Sequence, residues 1–156
     1  MFPISHFNIT KTPFYYYDKT LLSNTLAKLI RLAGERNYHV HYAVKANANP
    51  EILKLIAASG IGADCVSGGE IKAALEAGFP AKKIVFAGVG KADWEIEYAL
   101  EKKIFCFNVE SAEELSVIEE LAKKKENIAS IALRINPNID AHTHEYITTG
   151  PVSYTH

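Results

Sequence analysis

Three charged residues sit inside apolar stretches of this 156-residue chain. Lys45 ends the run Val40-His41-Tyr42-Ala43-Val44, Asp64 lies in "GADCV" (Gly62–Val66), and Arg134 lies in "IALRI" (Ile131–Ile135). Each run reads as a strand, and an uncompensated charge is costly to bury. Alternation puts His41, Ala43 and Lys45 on one face of the first run and Tyr42 and Val44 on the other. Lys45 then falls at the C-terminal end of its strand, where active sites collect in parallel α/β folds. Desolvation there can lower a lysine's pKa and leave a nucleophilic amine. The plainer reading is a strand-end lysine whose head reaches water. Asp64 faces away from Ala63 and Cys65. It needs either a backbone amide or a cation, and a lysine on the neighbouring strand would serve. Arg134 is as odd in its strand as Lys45, and its structural reading is an ion pair with a carboxylate such as Asp64.

The elements that position these residues repeat in one pattern: a short apolar run, a turn signal, then helical periodicity. "HVHYAVKA" gives way to Asn49-Pro50, a helix N-cap with proline at the first helical position. "GADCV" leads into Ser67-Gly68-Gly69-Glu70 and "IFCFNV" into Ser111-Ala112-Glu113-Glu114, both with the form of a capping box. "KIVFAG" precedes a helix carrying Trp94, Tyr98 and Ala99, and "SIALRI" is a fifth strand. Upstream, "TPFYYYD" (Thr12–Asp18) reads as a short aromatic strand. A helix follows it with Leu22, Leu26, Leu29, Ile30 and Ala33 on one face and Gly34 near its end. Near-continuous apolar strands alternating with helices predict a parallel α/β sheet buried on both faces, either a barrel or a doubly wound sheet. No GxGxxG follows the first strand, which removes the main support for dinucleotide binding.

Composition narrows the class. The chain is 48% hydrophobic and 22% charged, with a formal net charge of -1. That balance suits an ordinary globular protein and gives no reason to expect nucleic acid or an anionic membrane as partner. No apolar run approaches the roughly 20 residues of a membrane span, and no signal peptide opens the chain, so a cytoplasmic location is expected. Cys65 and Cys106 each sit in an apolar run and read as buried, reduced thiols. His39/His41 and His142/His144 form two HxH pairs, but a metal site needs further ligands that the sequence does not supply, so no metal is expected.

The wording of the motifs adds a resemblance. "YAVKANANP" (Tyr42–Pro50) closely resembles the lysine motif of the fold-type III pyridoxal-phosphate decarboxylases. "GADCVSGGE" (Gly62–Glu70), "AGFPAKKIVFAGVGK" (Ala77–Lys91), "FNVES" (Phe107–Ser111) and "LRINPNIDAHTHEYITTG" (Leu133–Gly150) match the same family in order and separation. The last block favours its diaminopimelate branch over the ornithine and arginine branches. The resemblance implies an eight-stranded (β/α) TIM-type barrel followed by a mostly β C-terminal domain. It also implies that Lys45 carries pyridoxal 5'-phosphate, that Asp64 and Arg134 lie in the cofactor site, and that Ala43 leaves room for the cofactor. The activity implied is decarboxylation of meso-2,6-diaminopimelate to L-lysine and carbon dioxide, by a homodimer with a small amino-acid substrate. Related acids (carboxynorspermidine, ornithine, arginine) and a non-catalytic pyridoxal-phosphate-binding barrel are the alternatives. Ser67 and Glu70 are expected to cap a helix rather than to bind phosphate.

Residues 1–35 are expected to lead into the barrel and 36–150 to form its first part, about five βα units. The tail "PVSYTH" (residues 151–156) departs from the family pattern and reads as non-native. With the remaining strands and the C-terminal domain outside it, the chain alone is expected to be inactive and poorly stable.

Overall fold

The computed structural model describes residues 4–135. Five parallel strands form one sheet in the order β1-β2-β3-β4-β5: β1 (His41–Ala43), β2 (Gly62–Cys65), β3 (Ile84–Phe86), β4 (Cys106–Val109) and β5 (Ile131–Leu133). A short helix α1 (Ile4–Phe7) and α2 (Lys19–Gly34) precede them; α3 (Pro50–Ala58), α4 (Gly68–Glu76), α5 (Asp93–Lys102) and α6 (Ala112–Lys124) connect successive strands. Strictly sequential order is the βα progression of a parallel barrel through its fifth strand; a doubly wound sheet would reverse direction.

Period-2 alternation splits the strands cleanly. Val44, Ala63, Cys65, Ile84, Phe86, Phe107 and Val109 join the apolar core against Leu53, Ile56, Ile71, Ile96 and Ile118 of the helices. The intervening residues, Ala43, Asp64, Val85 and Asn108 among them, take the opposite face, in register across the sheet: Ala43 opposite Asp64, Asp64 opposite Val85, Asn108 opposite Ala132. One face is therefore the helix-packed core, and the other is free to build a site. Cys65 and Cys106 are buried free thiols.

Several local expectations change. Thr12–Asp18 is not a strand: it pairs with no sheet neighbour, Tyr15 is 89% exposed, and Asp18 instead caps α2 by accepting from the Leu21 N–H at 2.9 Å. Aromatic composition favours strands only where a partner edge exists. Leu29 and Trp94 are exposed, Trp94 lying over Gly68 so closely that a Cβ there would stand 2.8 Å from its ring. Both predicted capping serines act as expected: Ser67 Oγ accepts from Glu70 N–H and Ser111 Oγ from Glu114 N–H, each at 3.2 Å. The glutamates reach one residue further back than a capping box prescribes, to the N–H of Val66 at 2.7 Å and of Glu110 at 3.4 Å.

Gly62 is required by close approach. A Cβ there would run into the His41 imidazole and the Lys83 carbonyl oxygen, the latter at 2.5 Å. Gly62→Ala in the complete protein is expected to cost about 1–3 kcal/mol, the usual penalty of overpacking, read as a lowered melting temperature with the secondary structure retained.

Candidate active site

β1 is shorter than its apolar run. After Ala43 the backbone tightens into a 3-10 turn, Val44–Ala46, and Lys45 rides on that turn rather than on the strand. Asn47 explains the stop. Its N–H donates to the Val44 carbonyl at 3.1 Å, its Oδ1 accepts from Asn49 N–H at 2.9 Å, and its Nδ2 donates to Tyr17 Oη at 3.0 Å. The Tyr42 hydroxyl donates to the Asn47 carbonyl at 3.1 Å. Asn49 then caps α3, as the Asn-Pro pair predicts, accepting from Glu51 N–H at 3.0 Å. Side-chain hydrogen bonds of this kind compete directly with a sheet ladder. They leave Val44 in the core and Lys45 projecting, exposed, at the C-terminal end of the sheet. Among the described residues, no hydrogen bond or ion pair takes the Lys45 ammonium.

Asp64 stands on β2 directly across from Ala43, with its Oδ1 buried and without a hydrogen-bond partner among the described residues. Burial raises its pKa above the ordinary aspartate range, while the nearby charges of Lys45 and then His41 pull it down. A buried acceptor left unpaired is costly, so the site asks for a donor or cation from outside. His41, on the same face, is itself pushed down, first by burial and further by His39 and Lys83 against Asp64. The structure thus brings together His41 and Ala43 of β1, Lys45 on the turn that follows it, and Asp64 of β2.

Arg134 is not part of that group. It follows β5, at the other edge of the sheet, anchored by its N–H to the Val109 carbonyl at 2.9 Å. Its Nη1 lies 3.1 and 3.2 Å from the two carboxylate oxygens of Glu110, so Glu110 is its partner and not Asp64. Register decides this: Glu110 extends the adjacent strand β4, whereas Asp64 lies three strands away. The Gly68 amide, which could have faced a phosphate, already donates to Glu95 Oε1 at 2.7 Å, in keeping with a capping role for this turn. His142 and His144 lie outside the described residues. A cavity of about 400 Å³, lined by Ile30, Ala33, His39, His41, Lys83 and Phe105, opens at the opposite, N-terminal end of the strands.

Read from the sequence, Lys91 and Glu110 have no role of their own and Glu114 only that of a helix cap. The Lys91 side chain is enclosed, and its ammonium donates to Glu114 Oε1 at 2.6 Å, to the Gly88 carbonyl at 2.7 Å and to the Asn108 carbonyl at 2.9 Å. With all three acceptors in place around it, the amine is fully engaged and is not free to serve as a nucleophile. The signal was available in "GVGK", a lysine placed after β3 much as Lys45 is placed after β1.

Asp64 yields a pH prediction. A carboxyl whose folded pKa is raised stabilises the fold fully below its unfolded pKa, and that contribution is lost as pH rises through the folded value. Asp64→Asn should therefore melt higher than the unsubstituted cofactor-free protein at neutral pH. The gap should close below the ordinary aspartate pKa of about 3.9. A melting-temperature series across pH checks it.

Comparison with known proteins adds to this geometry. Residues 23–154 match the family model described as pyridoxal-dependent decarboxylase, pyridoxal binding domain. The chain is 62% identical over 151 residues to a diaminopimelate decarboxylase of Bacteroides thetaiotaomicron, covering 96% of this chain and 39% of that protein. The crystal structure of diaminopimelate decarboxylase from Helicobacter pylori complexed with L-lysine superposes with a TM-score of 0.81 at 47% identity, covering 94% of this chain and 37% of that one. The M. jannaschii enzyme in co-complex with L-lysine gives a TM-score of 0.83 at 40% identity, over 94% of this chain and 35% of that one. The chain thus spans well under half the length of the relatives it matches.

Proposed function

This chain belongs to the pyridoxal-dependent decarboxylases, as their pyridoxal-binding domain, and on that premise we propose that the complete protein decarboxylates meso-2,6-diaminopimelate at its D-centre, giving L-lysine and carbon dioxide. One observation carries the reading: a lysine amine at the C-terminal end of β1, unpartnered among the described residues, stands beside a buried carboxylate oxygen that has no donor among them. The family's cofactor is pyridoxal phosphate, and the residues present fit it, because that oxygen has no donor among the described residues and is left able to take one from a bound group. When bound, the cofactor supplies an electron sink for the pair left by departing carbon dioxide.

The chain's own residues do the rest. Lys45 Nζ would hold the cofactor covalently, and its amine would also be placed to hold or move a proton at the reacting carbon. Asp64 would balance positive charge at the site. Ala43, opposite Asp64, leaves space above the sheet that a larger side chain would fill. Arg134, braced by Glu110, would complete the cofactor side. The choice of meso-diaminopimelate is supported by 62% and 47% identity to diaminopimelate decarboxylases. A homodimer in the cytoplasm belongs to the same proposal, and sedimentation of the complete protein checks the assembly.

Carbon dioxide release from meso-diaminopimelate, ornithine, arginine and carboxynorspermidine, measured side by side, tests the substrate. Turnover confined to meso-diaminopimelate is expected. Preferential turnover of any of the other acids would overturn the assignment.

A further inference from the structure

The ion pair of Lys91 and Glu114 is among the most enclosed charge in the molecule, with side chains only 1% and 11% exposed. Lys91 Nζ also sits 5.3 Å from the centroid of the Phe86 ring. Taking two charges out of water is expensive, and apolar replacements of such pairs are often neutral or stabilising. Stability alone is therefore a poor reason for the pair, and the structure offers another.

Its hydrogen bonds tie three successive strand ends together. Lys91 follows β3 and binds the Asn108 carbonyl of β4 as well as Glu114 on α6. The second oxygen of Glu114 accepts the backbone N–H of Glu110. Glu110, whose side chain is 8% exposed, holds Arg134 after β5. The order of contacts is Lys91, Glu114, Glu110, Arg134, each fixing the next. Without the Lys91 charge, Glu114 would be left buried and unpaired, and its grip on the Glu110 amide would be free to shift.

We propose that Lys91 and Glu114 are positioning residues that hold Glu110, and through it the Arg134 guanidinium, at the cofactor end of the sheet. This rests on the reading of Arg134 as a cofactor-side residue. The pair does not touch substrate; it sets the height and direction of a cation that does its work at the end of β5.

A double-mutant cycle measures the coupling along these contacts directly. In the complete protein, Lys91→Met, Glu114→Gln and Arg134→Gln are made singly, and each of the first two is combined with the third. Glu114→Gln is isosteric and keeps an acceptor for Lys91, so it carries the test if Lys91→Met does not fold. The readouts are the Kd of the cofactor-free protein for pyridoxal phosphate, kcat/KM on meso-diaminopimelate, and melting temperature. Each single variant is expected to weaken cofactor binding by about tenfold, within the coupling range of groups in one network. Each double variant is expected to match Arg134→Gln alone within about twofold, the limit of additivity error. Losses that multiply in the doubles would mean that the pair acts only on folding, and would overturn the proposal. An Arg134→Gln variant with unchanged Kd and turnover would remove Arg134 from the site and the proposal with it, while leaving the role of Lys45 standing.

Discussion

Lys45→Ala in the complete protein is expected to lose the visible absorbance of lysine-bound cofactor and to drop in turnover by at least about a thousandfold, since positioned proton transfer alone is worth about 10²–10⁴-fold. The size follows from geometry. Lys45 projects from a turn pinned by Asn47, Tyr42 and Tyr17, and Lys91, the other lysine that follows a strand closely at this end, has every proton engaged. Among the described residues, no nearby amine can take over. The fold should survive, because Lys45 is exposed and the core residue of its turn is Val44. An unchanged melting temperature of the cofactor-free variant, together with lost turnover, is the expected pair of results.

Residues 1–156 expressed alone are expected to show no decarboxylation and to aggregate rather than unfold cooperatively. β1 and β5 are the two edges of the sheet, and every residue of β5 is exposed, with Leu133 at 62% and neighbouring Ile135 at 81%. Unpaired backbone groups beside exposed apolar side chains are templates for pairing with other chains. Partly built parallel sheets are prone to that fate. The interior face carrying Asp64 and Asn108 likewise has nothing opposite it among the described residues. Size-exclusion chromatography and a carbon dioxide assay check both halves; a monomeric, cooperatively melting and active fragment would contradict the expectation.

Much of this was legible in the sequence because the βα pattern is local. Apolar runs, Asn-Pro, and the two Ser-x-x-Glu signals fixed the order of strands and helices, and alternation alone placed Asp64 on the face away from Ala63 and Cys65. What the sequence could not convey depends on pairing at a distance. The run Val40–Val44 has strand composition, but Asn47 ends the strand at Ala43 through a set of hydrogen bonds that includes one to Tyr17, a residue far upstream. Arg134 takes Glu110 in place of Asp64 because the neighbouring strand brings Glu110 alongside. Glu114 was readable as a cap, while its second task needs Lys91, 23 positions earlier. The aromatic stretch before α2 shows the same limit: propensity for a strand without an edge to join.

The central claim is that Lys45 is the residue that holds the cofactor. Borohydride reduction of the complete protein loaded with pyridoxal phosphate, followed by peptide mass mapping, tests it most directly. The account predicts a single pyridoxyl adduct, on the peptide containing Lys45. An adduct on Lys91 or on any other lysine, or none at all, would contradict it.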